Sequence, residues 1–533
     1  KLSCEVVNLY HGGQYQLYKY RRYAPIKLVF APELQAGFFG GDPDNFTYPR
    51  YALDVSFVRA YEADSTTAVR SDHFFRWRAE GAREDELVFV TGNPGSTSRQ
   101  VPFSEVMYEK VYRHPFLIQL LDGQRQILQQ IARSSPQAEQ QVRQQLFGIE
   151  NSLKSYQGQF SGLQDSLLLG RKLKWETEFR QRVNADPKLR SQYGDVWTRL
   201  ADIQLQKLRT SSRINISNPE FVGAPHIVIA AQLVAYVTEM AKPESRRAEE
   251  FSGDQAAQTE QLLKSPVPVD PQLAQSLLAL QVAMATRWLE PGDPLLRDLV
   301  RPNETAQQAA ARLAAGSRVL DAGFRQAVMA GKVAGLDTIR DPIVLLARAM
   351  TPVYGELSVK WPEIQAAERM QEERLAKALF AVYGTRLPPD ATFTLRITDG
   401  IVKGYPYNGT IAPPFTTFYG IYGRSTEFAN KDPFTLPKSF EAARSAINLA
   451  APLNFVSTND ITGGNSGSPL IDREGRVVGI AFDGNIESLP NEFVYRKEAG
   501  RTVAVHTAGI TEALRSIYKA EALLRELTEQ AAR

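Results

Sequence analysis

One cysteine in 533 residues, Cys4, excludes an internal disulfide framework and any zinc or iron–sulfur site built from several thiolates. Five histidines (His11, His73, His114, His226 and His506) are too few for a polyhistidine metal cluster, so histidine chemistry must use one of them or come from elsewhere. Neither charge dominates. Lys and Arg number 62 against 59 Asp and Glu, and the resulting net charge of +3 is too small to draw a polyanion by counterion release, which makes nucleic acid a poor first reading. No long apolar run is present: the longest low-charge stretch, residues 221–237, falls short of the roughly 20 residues a membrane span needs and reads as a buried helix. Lys1 and Leu2 lead straight into Cys4 with no initiator Met and no secretory signal, so the chain is expected to be a processed or truncated product. What is present is ordinary globular material, 43% hydrophobic and 23% charged, enough for two large domains or several smaller ones.

The pattern changes character twice. Up to about residue 105, short runs rich in β-branched and aromatic residues (27–30, 55–61 and 86–90), bounded by Gly, Pro and Asp, predict antiparallel strands. Beyond Val106 the period becomes helical, with Leu117, Leu121, Leu128 and Ile131 among glutamines. Asp341-Pro342 is expected to open one helix as N-cap and N1, and Trp361-Pro362-Glu363 the next, ending at Gly384. Residues 264–271, with three prolines, predict a stiff connector. Near residue 387 the strand pattern returns: 392–397 alternates, and 470–471 and 477–481 flank an Asp472-Arg-Glu-Gly475 turn as a hairpin. Residues 511–533 read as one amphipathic helix. The fold class expected is α+β: a β domain from residues 1–108 and 386–533, with a helical domain, 109–385, inserted between its halves.

The sharpest local signal is Asn459-Asp-Ile-Thr-Gly-Gly-Asn-Ser-Gly-Ser-Pro469. A serine nucleophile needs a tight turn that exposes its hydroxyl, with backbone N–H groups aimed at the developing oxyanion. Gly464 and Gly467 permit that turn around Ser466, and the amides of Gly464 and Ser466 are candidate oxyanion donors. A G-x-S-x-G elbow fails because position 468 is Ser, and the flanks are strands on both sides. Taken alone, the motif is more often a polar interstrand turn. A second cluster, Gly40-Gly-Asp-Pro-Asp-Asn-Phe-Thr-Tyr-Pro49, leads through Arg50 to Asp54 at the mouth of a predicted strand, a rigid place for a triad acid. A calcium loop there fails at Phe46 and Thr47.

Together these segments resemble the S46 family of bacterial serine dipeptidyl peptidases. The resemblance rests on Val7-Asn-Leu-Tyr-His-Gly-Gly-Gln-Tyr-Gln-Leu17, Gly40-Gly-Asp-Pro-Asp-Asn45 with Pro49-Arg50, Asn93-Pro-Gly-Ser-Thr-Ser-Arg99, Asp390-Ala-Thr-Phe-Thr-Leu-Arg396 and the 457–469 segment with Phe482-Asp-Gly-Asn485. It implies a chymotrypsin-like double β-barrel, N-terminally incomplete here, with an inserted all-helical domain. It makes Ser466 the nucleophile and Asp54 the triad acid. It gives Asp483, Asn45, Phe46 and Asn151 the binding of a substrate's free N-terminus, and makes Gly484 the P1 specificity position. Arginine there goes with acidic P1 residues and glycine with apolar ones, and a missing side chain leaves room and no cation to pair. A hairpin glycine needing positive φ is the bland alternative. The implied activity is release of dipeptides from peptide N-termini through an acyl-enzyme, with no cofactor or metal, in a periplasmic or secreted homodimer.

This sequence departs from the family in two ways. The family reads Asn-Trp-x-Trp-Pro-Arg-His-x-Gly-Asp where this chain has Asn45-Phe-Thr-Tyr-Pro-Arg-Tyr-Ala-Leu-Asp54. The family's catalytic histidine, in a Thr-Asn-His-His-Cys segment, has no counterpart in these 533 residues. Two function classes are therefore carried forward: a serine dipeptidyl peptidase, and a non-catalytic peptide-binding relative that lacks the general base.

Overall fold

Residues 87–92 alternate half-buried and buried side chains, as a strand with one face on a core does. This strand is the pivot of the β structure in the computed structural model, which describes residues 2–529. In chain order the strands are β1 (Leu2–Leu9), β2 (Gln14–Arg21), β3 (Ile26–Phe30), β4 (Phe57–Ala60), β5 (Arg76–Trp77), β6 (Leu87–Gly92), β7 (Arg396–Ile401), β8 (Tyr405–Tyr407), β9 (Thr410–Ala412), β10 (Phe415–Thr417), β11 (Pro452–Ser457), β12 (Pro469–Ile471), β13 (Arg476–Gly484) and β14 (Thr502–His506). Pairing gives one eight-stranded sheet, in the order β10-β11-β14-β13-β12-β6-β7 with β5 alongside β13, and three separate ribbons, β1-β2, β3-β4 and β8-β9.

The large sheet closes on itself. Just past β7, Val402 bridges Ser457 at the end of β11, and Thr458 N–H donates to the Ile401 carbonyl at 3.0 Å. β11, β14, β13, β12, β6 and β7 thus form a ring of six strands. Its interior is a single apolar cluster including Val88, Val90, Val402, Phe455, Leu470, Val478 and Ala504, all buried. Closure removes the exposed strand edges that an open sheet would present. The expected hairpin at 472–475 is present: Asp472 N–H donates to the Arg476 carbonyl at 2.9 Å, and Gly475 takes φ +73°.

Two compact units make up the chain. The first comprises Lys1–Val106, Lys154–Asp195 and Glu372–Arg533, and so holds every strand together with the helix Ser166–Ala185 and the C-terminal part of Pro342–Tyr383. The second comprises Met107–Leu153 and Val196–Gln371 and is all helix, packed around a core that includes Leu233, Leu278, Val282, Leu313 and Leu346. The boundaries drawn from composition, 109 and 385, differ from this grouping because residues 154–195 and 372–385, although helical, pack with the strands.

Residues 225–240 form the expected buried helix, and residues 265–270 the expected connector. Asp341 caps its helix by accepting from the amides of Ile343 (3.0 Å) and Val344 (3.2 Å). The helix start expected at Trp361-Pro362 is absent: the helix runs unbroken through Pro352 and Pro362. Interior prolines cost about 3 kcal/mol each, and the seven-residue row of buried Met350, Leu357 and Ile364 supplies the offsetting packing. The expected C-terminal helix is also divided. Thr507–Glu512 and Ala513–Ile517 are followed by Lys519 at φ +53°, and a new helix covers Glu521–Glu529, with residues 530–533 outside the described part.

Candidate active site

Ser466 lies in the turn between β11 and β12, with its side chain exposed. Gly464 at φ +106° and Gly467 at φ +87° take conformations that L side chains avoid, and the turn needs both. Space constrains Gly464 as well, since a Cβ there would sit 2.6 Å from the Asn93 carbonyl. The turn is pinned to β13 by Gly467 N–H donating to the Ala481 carbonyl at 2.7 Å and Ala481 N–H donating to Ser468 at 2.9 Å. The amides of Gly464 and Ser466 donate to no backbone acceptor among the described residues, and they flank a hydroxyl that reaches the Phe482 carbonyl at 3.4 Å. Two unclaimed N–H groups beside an exposed hydroxyl are what oxyanion stabilisation needs.

One residue past Phe482 stands Asp483, buried near the end of β13. Its Oδ2 accepts from the Phe46 amide and from Arg50 Nη1, each at 2.9 Å, and its Oδ1 accepts from the Gly484 amide at 2.8 Å. Phe46 reaches this position because it adopts φ +52° directly after Asn45, which is buried at the end of the turn Gly41–Asp44. Arg50 is only 2% exposed; it also donates to the Asp44 carbonyl, and its guanidinium lies over the Phe482 ring at 5.5 Å. Burial pushes the Asp483 carboxyl above its ordinary range, against the Arg50 charge and the two amides that pull it down. The Asn45 turn is braced in turn by Lys154, whose Nζ donates to the carbonyls of Asp42 (2.5 Å) and Pro43 (3.1 Å).

Asp54 precedes β4 and is exposed, with no hydrogen-bond partner among the described residues. The protein around it pushes its carboxyl upward, Arg50 pulls it back, and the charge of Asp483 adds to the rise. Asp54, Arg50 and Asp483 thus form one electrostatic group, with Ser466 reaching the residue next to Asp483.

Gly484 ends β13 and has no positive φ; the constraint there is space, since a Cβ would stand 2.7 Å from Ser488 Oγ. Asn151 is half-buried on the helix Pro136–Gln164 and belongs to the helical unit. Sequence reading assigned no role to Arg50. Its partner lies 433 positions away, and the only hint was its place between Asn45 and Asp54.

The five histidines lie away from Ser466 and Asp54. His506 is buried, with Nε2 3.0 Å from the Ala82 carbonyl and Nδ1 accepting from the Ala508 amide at 3.2 Å; desolvation brings its pKa down to about 4. His11 Nε2 faces Asp390 Oδ2 at 3.3 Å. His114 Nδ1 lies 3.1 Å from Glu109 in the helical unit, where His226 is also buried, and His73 is exposed on a loop. None of the five hydrogen-bonds Ser466 or Asp54 among the described residues.

Comparison with known proteins finds the family Peptidase S46 matched over residues 1–529. The Asp/Glu-specific dipeptidyl-peptidase of Shewanella putrefaciens is 25% identical over 583 residues, an alignment covering 98% of this chain and 77% of that protein. Dipeptidyl-peptidase 7 of Porphyromonas endodontalis is 26% identical over 549 residues, covering 98% of this chain and 65% of the relative. In structure, Porphyromonas endodontalis DPP11 in complex with the dipeptide Arg-Glu superposes with a TM-score of 0.76 at 19% identity, covering 99% of this chain and 78% of that one.

Proposed function

The chain belongs to the Peptidase S46 family, and from that premise we propose that it is a serine-type dipeptidyl aminopeptidase favouring apolar P1 residues. Ser466 is the nucleophile in this reading, and the amides of Gly464 and Ser466 receive the oxyanion. Asp483 pairs with the α-ammonium of the substrate, assisted by Asn45 and the half-buried ring of Phe46. Asp54 orients the imidazolium of a general-base histidine other than the five described above. The carbonyl carbon of the second substrate residue is attacked by Ser466 Oγ, whose proton passes to the base. The amine of the third residue then leaves with that proton, and water releases the dipeptide from the acyl-enzyme.

The observation that carries this reading is the adjacency of nucleophile and anchor: the serine hydroxyl touches the Phe482 carbonyl, and the next residue is a buried carboxylate. Two extended residues span about 7 Å, so a substrate held by its ammonium at Asp483 offers only an early peptide bond to Ser466. An internal peptide segment leaves the buried carboxylate without a cationic partner and is rejected. Apolar P1 preference is supported by Gly484, which contributes neither side-chain bulk nor charge. For the fold, we read the six-strand ring as one barrel of a chymotrypsin-like pair. Among the described residues, no helix is long and apolar enough to cross a membrane. A periplasmic or secreted homodimer is proposed on the family resemblance.

The test is a fluorophosphonate label with peptide mapping, together with turnover of a Xaa-Leu amide. Labelling of Ser466 and its loss in Ser466→Ala are expected; an unlabelled serine in an active protein rejects the assignment. A second reading, a non-catalytic peptide-binding relative, is favoured by the absence of a hydrogen bond from any of the five histidines to Ser466 or Asp54 among the described residues, with His506, His11 and His114 engaged elsewhere. It predicts dipeptide binding with neither label nor turnover.

A further inference from the structure

Outside the residues assigned above, one buried carboxylate collects four protein donors. Asp390, in the segment before β7, accepts from Thr97 Oγ1 (2.6 Å) and the Arg99 amide (2.9 Å) on Oδ1, and from the Gln100 amide (2.9 Å) on Oδ2, which His11 Nε2 also faces at 3.3 Å. Three of these donors belong to the loop 93–100 that follows β6. The same loop is tied down by the Phe393 amide, which donates to the carbonyls of Pro94 and Gly95 at 2.8 Å, and by the buried Lys172, whose ammonium donates to the Arg99 carbonyl.

From this anchored loop, two contacts reach the nucleophile turn at its entry. Arg99 forks onto Asp460, with Nη2 to Oδ1 at 2.9 Å and Nη1 to Oδ2, while its Nε donates to the Asn491 carbonyl at 2.7 Å. Gly95 N–H donates to the Gly463 carbonyl at 2.7 Å. That carbonyl belongs to the same peptide group as the Gly464 N–H. Because the peptide is planar and trans, its C=O and N–H point in opposite directions. Fixing the carbonyl toward Gly95 therefore turns the Gly464 N–H away from it. Rotation of this one plane would exchange an oxyanion donor for a carbonyl oxygen, turning stabilisation into repulsion.

We propose that Asp390, acting through the loop 93–100 and the Gly95–Gly463 hydrogen bond, is a positioning residue that holds the 463–464 peptide in its oxyanion-donating orientation. This rests on the reading of Ser466 and Gly464 given above. It adds a second, separate support for the turn: β13 holds its far side through Gly467, and the Asp390 loop holds its near side through Gly463.

Gly95→Ala is the direct test, since the new Cβ would stand 2.6 Å from the Gly463 oxygen and displace it. Removing one oxyanion donor lowers kcat by about 10²–10³, which sets the upper limit. A fall in kcat of at least about tenfold is expected, accompanied by an equal loss of affinity for a dipeptide boronic acid, whose tetrahedral adduct needs the oxyanion donors. KM and product-dipeptide affinity are expected to stay within about threefold, because Asp483 and Asn45 are untouched. Asp390→Asn keeps the shape but replaces one acceptor with a donor facing the loop amides, so it should reproduce the pattern in a smaller degree; it is the readout if Gly95→Ala does not fold. Unchanged kcat and boronate affinity in a folded variant overturn the proposal, as does a parallel loss of boronate and product-dipeptide affinity, which signals general damage. If the parent protein itself neither labels at Ser466 nor turns over substrate, the function reading falls and the proposal with it.

Discussion

Replacing Arg50 by Met tests the electrostatic centre of the site. Arg50 and Asp483 are 2% and 7% exposed at the side chain and 2.9 Å apart, and the arginine also holds the Asp44 carbonyl. Methionine fills a similar volume but leaves Asp483 buried with only two amides for partners. Breaking a buried pair by removing one member costs about 3–5 kcal/mol. With an m-value of about 3 kcal/mol/M, the urea midpoint of the strand unit should fall by about 1–1.7 M. Part of that loss is the penalty on the orphaned carboxylate, so Asp483→Asn combined with Arg50→Met should cost less than the two singles together, by about 1–3 kcal/mol. Activity provides a second axis. An arginine beside an aspartate lowers its pKa by about 1–3 units, and both Asp483 and Asp54 feel Arg50 in that sense, against the burial that raises them. The ammonium of the substrate needs Asp483 ionised, so without Arg50 the acidic limb of kcat/KM should move to higher pH by about 1–2 units. Arg50→Lys keeps the charge but loses the planar guanidinium whose Nη1 serves both Asp483 and the Asp44 carbonyl, and should raise KM while leaving that limb nearly in place. A folded Arg50→Met within about 1 kcal/mol of the parent, with an unmoved acidic limb, refutes the reasoning.

Three further outcomes are expected. Gly484→Arg should shift the ratio of Xaa-Leu to Xaa-Glu turnover toward the acidic substrate by at least about tenfold; because Ser488 Oγ obstructs a side chain there, Ser488→Gly in the same protein should enlarge the shift, and an unchanged ratio in both rejects Gly484 as the P1 determinant. His506, neutral and buried with its pKa lowered to about 4, contributes stability that is present above its unfolded value of about 6.5 and is lost as pH falls toward 4. Urea midpoints at pH 7 and pH 4.5 should show this loss, about 2–3 kcal/mol, in the parent and less of it in His506→Gln, and equal acid sensitivity would reject the assignment. Asp483→Asn should lower kcat/KM for free-N-terminal peptides by at least about a hundredfold, as loss of a charge-assisted contact worth about 3 kcal/mol implies; retained activity would remove Asp483 from ammonium recognition.

The nucleophile turn was legible because its chemistry is local: two glycines, a serine and two flanking strands lie within a dozen residues, and the structure bends where those glycines allow. The hairpin at 472–475 and the cap at Asp341 were legible for the same reason. The contacts that make the turn into a site were not. Arg50–Asp483, Arg99–Asp460 and Asp390–Arg99 join positions hundreds of residues apart, and each charged residue reads in sequence as one more surface group. At Gly484 the positive φ of the bland alternative is absent, and the crowding by Ser488 has no local signal in the sequence. Pro362 misled in the opposite sense: a local helix-start signal lies inside one continuous helix, Pro342–Tyr383. The division into units was hidden because three of the four passages from one to the other fall inside the helices Phe103–Tyr108, Pro136–Gln164 and Pro342–Tyr383, and the fourth between two helices at 195–196.

The closed ring carries a consequence for how the protein is made. β6 pairs with β7 and β12, strands of residues 396–401 and 469–471 made long after it, and β14 completes the circle almost at the C-terminus. At about 5–20 residues per second, β6 waits about 15–60 s on the ribosome before its first partner exists. Through that interval Val88 and Val90 have no barrel to enter, and the strand is an open edge that invites wrong partners. Because the turn carrying Ser466 is held between β13 and a loop that follows β6, the proposed site has no half-built form. A nascent chain of this design depends, until nearly its last strand has been translated, on whatever shields an unpaired strand.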